Sequence, residues 1–356
     1  MHNYSQEKQN VLEAQRKAFE LTFGAFGFQI TRLMLKFNIL QILIESKNGL
    51  DIDEIVKKTK LSKYACKCLM ESSLTIGMTL LNNGKFTCSK MSWFLLNDPL
   101  ISINMEINHN LNYLGLYHLE EALLSGKPAG LKVFGKWDTL YEGLSEFPEN
   151  VRNSWLKFND YFSASYYNEA LEIVFANNPQ TLLDVGGNTG KWALQCVNHN
   201  KDVRVTVMDL PQQIELMQNQ IAEKSCAIRI LGHACNFLHS DTCFPAGFDV
   251  IWMSQFLTCF SEDEIINILS KVYESMNENT LLYIMEMYWD RQRFETATYT
   301  LTQISLYFTA LANGNSKIYH SDDMFRCIKE TGLVIKSVKD GLGLGHTLVV
   351  CRKNKF

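Results

Sequence analysis

Proline and glycine are scarce, with 6 and 20 of them in 356 residues. That scarcity excludes a collagen-like or low-complexity chain, and 46 % apolar against 20 % charged residues excludes a disordered one. Positive charge is not in excess either: 34 basic against 38 acidic residues leave a net charge of −4. A general nucleic-acid binder is usually basic, so no nucleic-acid partner is expected. No apolar run reaches 18 residues, so no membrane span is expected. The first 19 residues are polar and lack the apolar core of a signal peptide. None of the ten cysteines forms a C-x-x-C pair. Cys66 and Cys68 are one residue apart, without a histidine nearby to complete a zinc set. Reduced, scattered thiols, no metal and a cytoplasmic location are the expectation.

At this length two or three domains are expected, and the chain reads in three parts. Residues 1–100 show helical periodicity, 101–175 are again helical, and 176–356 alternate short apolar runs with amphipathic helices. The last pattern is that of a mostly parallel α/β sheet. Residues 5–24 and 28–46 carry apolar faces at helical spacing. Residues 50–96 read as helix, turn, helix and short hairpin, with Asp51 and Ser62 as N-caps and Asn82-Asn83-Gly84 as a tight turn. This is a winged-helix unit, which can bind DNA or serve as a dimerisation arm. Its second helix offers only Lys63 and Lys67, too few charges for a recognition helix. Aromatic residues cluster in 155–171, among them Trp155, Phe158, Tyr161 and Phe162.

The chemistry concentrates in TLLDVGGNTGKWAL (181–194). A short buried strand ends at Asp184-Val185, and Gly186, Gly187 and Gly190 lead into a helix. Glycines there let the backbone turn tightly and approach a ligand closely. A second strand ends at Asp209-Leu210, with Asp209 23 residues beyond Gly186. An acidic residue about 20 residues after a glycine loop accepts hydrogen bonds from ribose hydroxyls. The spacing D-x-G-G-x-x-G differs from the G-x-G-x-x-G of a dinucleotide site, and Lys191 does not complete a phosphate loop. The pattern is that of an S-adenosylmethionine site. Further strands are expected near 226–238, 248–257 and 279–289, and 332–353 reads as a closing antiparallel hairpin.

With LEEALLSGKPA (119–129), FPEN (147–150), LLDVGGNTGKW, MDLP, FDVIWMSQFLTCFSEDEIINIL (248–269) and LLYIMEMYWD (281–290), the chain resembles the winged-helix class of S-adenosylmethionine-dependent O-methyltransferases. That class includes plant caffeic acid, flavonoid and acetylserotonin O-methyltransferases and bacterial polyketide O-methyltransferases. The resemblance implies a Rossmann-like methyltransferase domain with an antiparallel last strand, a helical dimerisation domain, and a homodimer. It implies a small hydroxylated aromatic or polyketide-like substrate. Asp184, Gly186, Gly187 and Gly190 would surround the methionine part of the cofactor and Asp209-Leu210 the ribose. Asn236 and Phe237 would meet the adenine. Ser254 or Gln255 stands where the family has a lysine or arginine. Phe158, Tyr161, Phe162, Met253 and Tyr307 would line the substrate pocket.

The resemblance breaks at the base. Thr258 stands where the family has its catalytic histidine, and Cys259 where it has an aspartate. Threonine is no general base at neutral pH. Glu286 matches a family acidic residue beside the base and becomes the first candidate for proton removal. General-base catalysis contributes about 10²–10⁴-fold, while alignment of two bound reactants supplies roughly 7–11 kcal/mol. Methyl transfer without the histidine is therefore physically possible. N- or C-methylation, and a cofactor-responsive DNA regulator, are the competing readings.

Overall fold

The computed structural model describes residues 4–354. The chain divides into two compact units, one ending at Asn110 and one beginning at Leu111. The helices of 111–175 fall in the same unit as the sheet.

The first unit opens with α1 (Val11–Thr22), α2 (Gly24–Lys36) and α3 (Ile39–Ile44). Asn10 starts α1 through a capping box with Glu13, so the helix begins later than periodicity alone suggests. The stretch 28–46 is not one helix: Asn38 takes a left-handed conformation (φ 55°) and separates α2 from α3. Then come α4 (Ile52–Thr59), capped by Asp51, and α5 (Lys63–Thr75), capped by Ser62. Strands β1 (Thr79–Asn82) and β2 (Lys85–Cys88) pair across Asn83-Gly84, both at positive φ, as a two-residue hairpin turn requires. Met34, Leu40, Ile55, Met70 and Met78 form the centre of this unit's core.

The second unit is built on seven strands. β3 (Thr181–Val185), β4 (Arg204–Asp209), β5 (Ile230–Ala234), β6 (Val250–Ser254) and β7 (Leu281–Glu286) are parallel. β8 (Leu333–Leu342) and β9 (His346–Lys353) close the edge antiparallel, in the order β5-β4-β3-β6-β7-β9-β8. Strand order reverses between β3 and β6, and ligands of open α/β sheets bind at the carboxyl ends of strands at such a point. Continuous apolar runs such as TLLDV and VIWMS follow from burial of both sheet faces. Leu183, Val185, Ile251 and Met253 pack on one face; Leu182, Val250 and Trp252 pack on the other. Each fully buried side chain of this kind contributes roughly 1.5–3 kcal/mol. The helices that matter below are α6 (Glu149–Ala164), α7 (Lys191–His199) after the glycine loop, α8 (Pro211–Ile221) and α9 (Glu295–Tyr307).

Candidate active site

A cavity of about 340 Å³ opens at the carboxyl ends of β3, β4, β6 and β7. Its wall divides into a glycine-loop side, an aromatic side, and a polar end at Glu286.

On the glycine-loop side, Gly186 N–H donates to Met208 O at 2.8 Å and fixes the turn. Gly186 has φ +70°, and a Cβ there would meet the Phe256 ring at 2.4 Å. A Cβ on Gly187 would meet Asp184 Oδ2 at 2.5 Å. Both positions therefore require glycine. Asp209 accepts from Asn188 N–H and from Leu210 N–H, each at 2.7 Å, one on each carboxylate oxygen. Burial pushes its pKa up to about 6 against those two donors. Asp184 is 2 % exposed, and its Oδ2 has no partner among the described residues. Burial, with the neighbouring Asp209 charge, pushes it up to about 8. Asn188 Oδ1 and Gln213 Oε1 are likewise buried acceptors without partners, and both residues line the cavity. Three orphaned acceptors on one wall fit a ligand rich in donors: ribose hydroxyls, an amino group, an adenine amine. Asn236 and Phe237 line the same side, with Phe237 edge-on to Phe256 at 4.7 Å.

Ser254 and Gln255 also line the cavity, but their side chains are engaged by Tyr166. The Tyr166 hydroxyl shares a hydrogen bond with Ser254 Oγ, and Gln255 Nε2 donates to it at 3.3 Å. Gln255 holds φ +50°, an unfavourable conformation stored at the cavity wall.

On the aromatic side stand Trp155, Phe158, Phe162, Tyr307 and Phe308. Trp155 Nε1 donates to the Tyr307 hydroxyl at 2.7 Å, and Tyr141 Oη donates to Cys259 Sγ at 2.9 Å. Burial pushes the Cys259 thiol up to about 12, so a thiolate nucleophile is not formed there at neutral pH.

At the polar end, Glu286 is 1 % exposed. Its Oε1 accepts from Phe256 N–H at 2.9 Å and Leu257 N–H at 2.8 Å. Its Oε2 accepts from Thr258 Oγ1 at 3.2 Å. Burial raises its pKa to about 7, while these donors hold it from rising further.

Three residues expected at the site lie outside the cavity wall. Met253 alternates with Trp252 and Ser254 along β6, so it points into the opposite core. Tyr161 precedes Phe162 on α6, about 100° around the helix. Gly190, at the start of α7, lets the chain pass Met217 of α8, which a Cβ would meet at 2.6 Å. His118, His320 and His346 are not among the lining residues. The His320 ring accepts from Asp322 N–H and caps a helix, while His346 is fully buried. Tyr141, Tyr166, Asn188 and Gln213 were not singled out from sequence. Asn188 lies inside the glycine loop and Gln213 four residues after Asp209, and those positions were the available signal.

Residues 15–86 match a Dimerisation2-like domain and residues 116–331 match an O-methyltransferase domain. The second match spans more than half of the chain, which therefore belongs to the O-methyltransferase domain family and is an S-adenosylmethionine-dependent methyltransferase. L-tyrosine C(3)-methyltransferase of Streptomyces lavendulae is 23 % identical over 303 residues, covering 84 % of this chain and 81 % of the relative. Des-methyl DIF-1 methyltransferase A of Dictyostelium discoideum is 22 % identical over 298 residues, covering 78 % and 79 %. Mitomycin 7-O-methyltransferase MmcR superposes with a TM-score of 0.70 at 16 % identity, over 96 % of this chain and 98 % of that one. Human N-acetylserotonin methyltransferase in complex with SAM gives 0.65 at 16 % identity, over 99 % and 100 %.

Proposed function

We propose that the protein methylates a hydroxyl of a small, neutral aromatic or polyketide-like molecule, with Glu286 accepting the hydroxyl proton. The observation that carries this reading is one cavity joining the orphaned acceptors of the glycine loop to an aromatic wall and to Glu286. Gly186, Gly187 and Asp184 would hold the methionine part of the cofactor, Asp209 and Leu210 its ribose, and Asn236 with Phe237 its adenine. When bound, S-adenosylmethionine supplies an activated methyl group on a sulfonium. A carboxylate oxygen offers two acceptor positions. Both positions of Glu286 Oε1 are filled by backbone N–H groups, and one position of Oε2 is filled by Thr258. Oε2 takes the substrate proton. A pKa near 7 suits a base working at neutral pH. Thr258 orients that oxygen and takes no proton.

The described lining residues include the carboxylates Glu142, Asp184, Asp209, Glu264 and Glu286, and no Lys, Arg or His. A substrate carboxylate would find no counter-charge in that wall, which favours a neutral acceptor. C-methylation is the second reading, favoured by the relative named as a tyrosine C(3)-methyltransferase. Homodimer formation is part of the proposal. α1 buries none of its residues, and the Dimerisation2-like match lies over this region.

A panel of neutral mono- and dihydroxyarenes with methyl-labelled S-adenosylmethionine tests the reading. The expected product is a labelled methyl ether. Label found on ring carbon would transfer support to C-methylation, and faster reaction of hydroxybenzoates would contradict the neutral acceptor.

A further inference from the structure

We infer that Tyr307 donates a hydrogen bond to the reacting oxygen of the acceptor, and that Trp155 sets it in that role. This rests on the phenolic acceptor proposed above. An indole N–H can only donate. In the 2.7 Å contact between Trp155 Nε1 and Tyr307 Oη, the tyrosine oxygen is therefore the acceptor. Its own proton is left without an acceptor among the described residues. Tyr307 is 6 % exposed and lines the cavity, so that proton has little access to bulk water. A buried hydroxyl proton without a partner costs free energy, and a ligand oxygen in the cavity removes the cost. Burial holds the phenol well above its ordinary pKa, so it remains a donor throughout the working pH range.

Two other buried phenols on the wall are already engaged. Tyr141 gives its proton to Cys259 Sγ, and Tyr166 is paired with Ser254 and Gln255. A chain of contacts links Tyr307 to Glu286 along this wall: Trp155 bonds Tyr307, its ring lies 6.4 Å from that of Tyr141, Tyr141 donates to Cys259 Sγ, and the adjoining Thr258 donates to Glu286. Tyr307 ends α9, and the π-helical turn Phe308–Ala312 follows at once. Such turns recur at functional sites. With no cation among the described lining residues, a neutral donor is what this wall offers to a phenolate. The proton balance is simple: the acceptor's hydroxyl proton passes to Glu286 Oε2, and Tyr307 keeps its own proton while bonded to the oxygen left behind.

The test uses 4-nitrophenol bound to the complex of the full protein with S-adenosylhomocysteine, titrated by nitrophenolate absorbance. A donor to the phenolate lowers the pKa of the bound probe. In Tyr307→Phe the bound probe is expected to ionise about one pH unit higher than in the parent, a tenfold change. Trp155→Phe keeps the phenol but frees its orientation, and a smaller shift in the same direction is expected. Affinity for S-adenosylhomocysteine, measured by calorimetry, should stay within about twofold in both variants, well below the loss of one hydrogen bond. An unchanged probe pKa in Tyr307→Phe would overturn the role. Loss of S-adenosylhomocysteine binding in both variants would overturn it too, marking the pair as structural. A probe that fails to bind the parent complex would overturn the phenolic acceptor and this role with it.

Discussion

The Thr258 hydroxyl donates to Oε2 of Glu286 across 3.2 Å, inside a wall where both residues are at most 5 % exposed. The partner oxygen, Oε1, is held by two consecutive backbone N–H groups, those of Phe256 and Leu257. The carboxylate at the end of β7 thus anchors the chain leaving β6. Burial, partly offset by these donors, raises the pKa of this carboxylate to about 7.

Asp209 joins the glycine loop to the chain after β4 by accepting from Asn188 and Leu210. Asp209→Ala removes both anchors and the proposed ribose acceptor. Affinity for S-adenosylhomocysteine should fall about 10- to 100-fold, the range for a lost hydrogen bond involving a charged group. Calorimetry reads this directly, and unchanged affinity would remove Asp209 from the cofactor site.

Stability of the ligand-free protein should fall as pH rises from about 6.5 to 8. Burial pushes Asp184 to about 8 and Glu286 to about 7. Over that window the native protein still holds protons that the unfolded chain has released, so raising the pH favours unfolding. His346, held near 3 by burial, is uncharged in both states above its ordinary range and does not offset the trend. Asp184→Asn should flatten the decline. A urea midpoint that is level or rising over this window in the parent would contradict the account.

The apolar surface of α1 and α2 should seal a homodimer. Val11, Leu12 and Leu21 are 84 %, 76 % and 80 % exposed, and Phe19 and Phe26 are exposed beside them. The parent should scatter light as a dimer at micromolar concentration, and Leu12→Glu with Phe19→Glu should give a monomer. A monomeric parent would refute the dimer.

The sheet and the glycine loop were legible because they rest on local signals. Apolar runs mark β3, β6 and β7, and Asp184, Gly186, Gly187 and Asp209 fall at spacings that backbone geometry imposes. Asp51, Ser62 and Asn83-Gly84 were legible for the same reason. Met253 and Tyr161 fall outside the cavity wall because a one-residue step changes the face of a strand or helix, and composition does not reveal which face meets the cavity. Tyr141, bonded to Cys259 from 118 positions away, and Trp155, bonded to Tyr307 from 152 away, are products of tertiary packing. Sequence spacing carries no signal for such pairs.

In the proposed reaction Glu286 removes the acceptor's proton while Thr258 holds the Glu286 oxygen that receives it. Single-turnover methyl transfer to the best neutral phenol of the panel, measured from pH 5 to 9 (probe conditions set about two units either side of neutrality), tests it most directly. The parent should lose rate below about pH 7 as Glu286 is protonated. Thr258→Val removes a donor to the charged form, so its acid limb should move upward in pH. Glu286→Gln should slow transfer about 10²–10⁴-fold and abolish the acid limb. A Glu286→Gln rate within a factor of about two of the parent, with the acid limb intact, would contradict the claim.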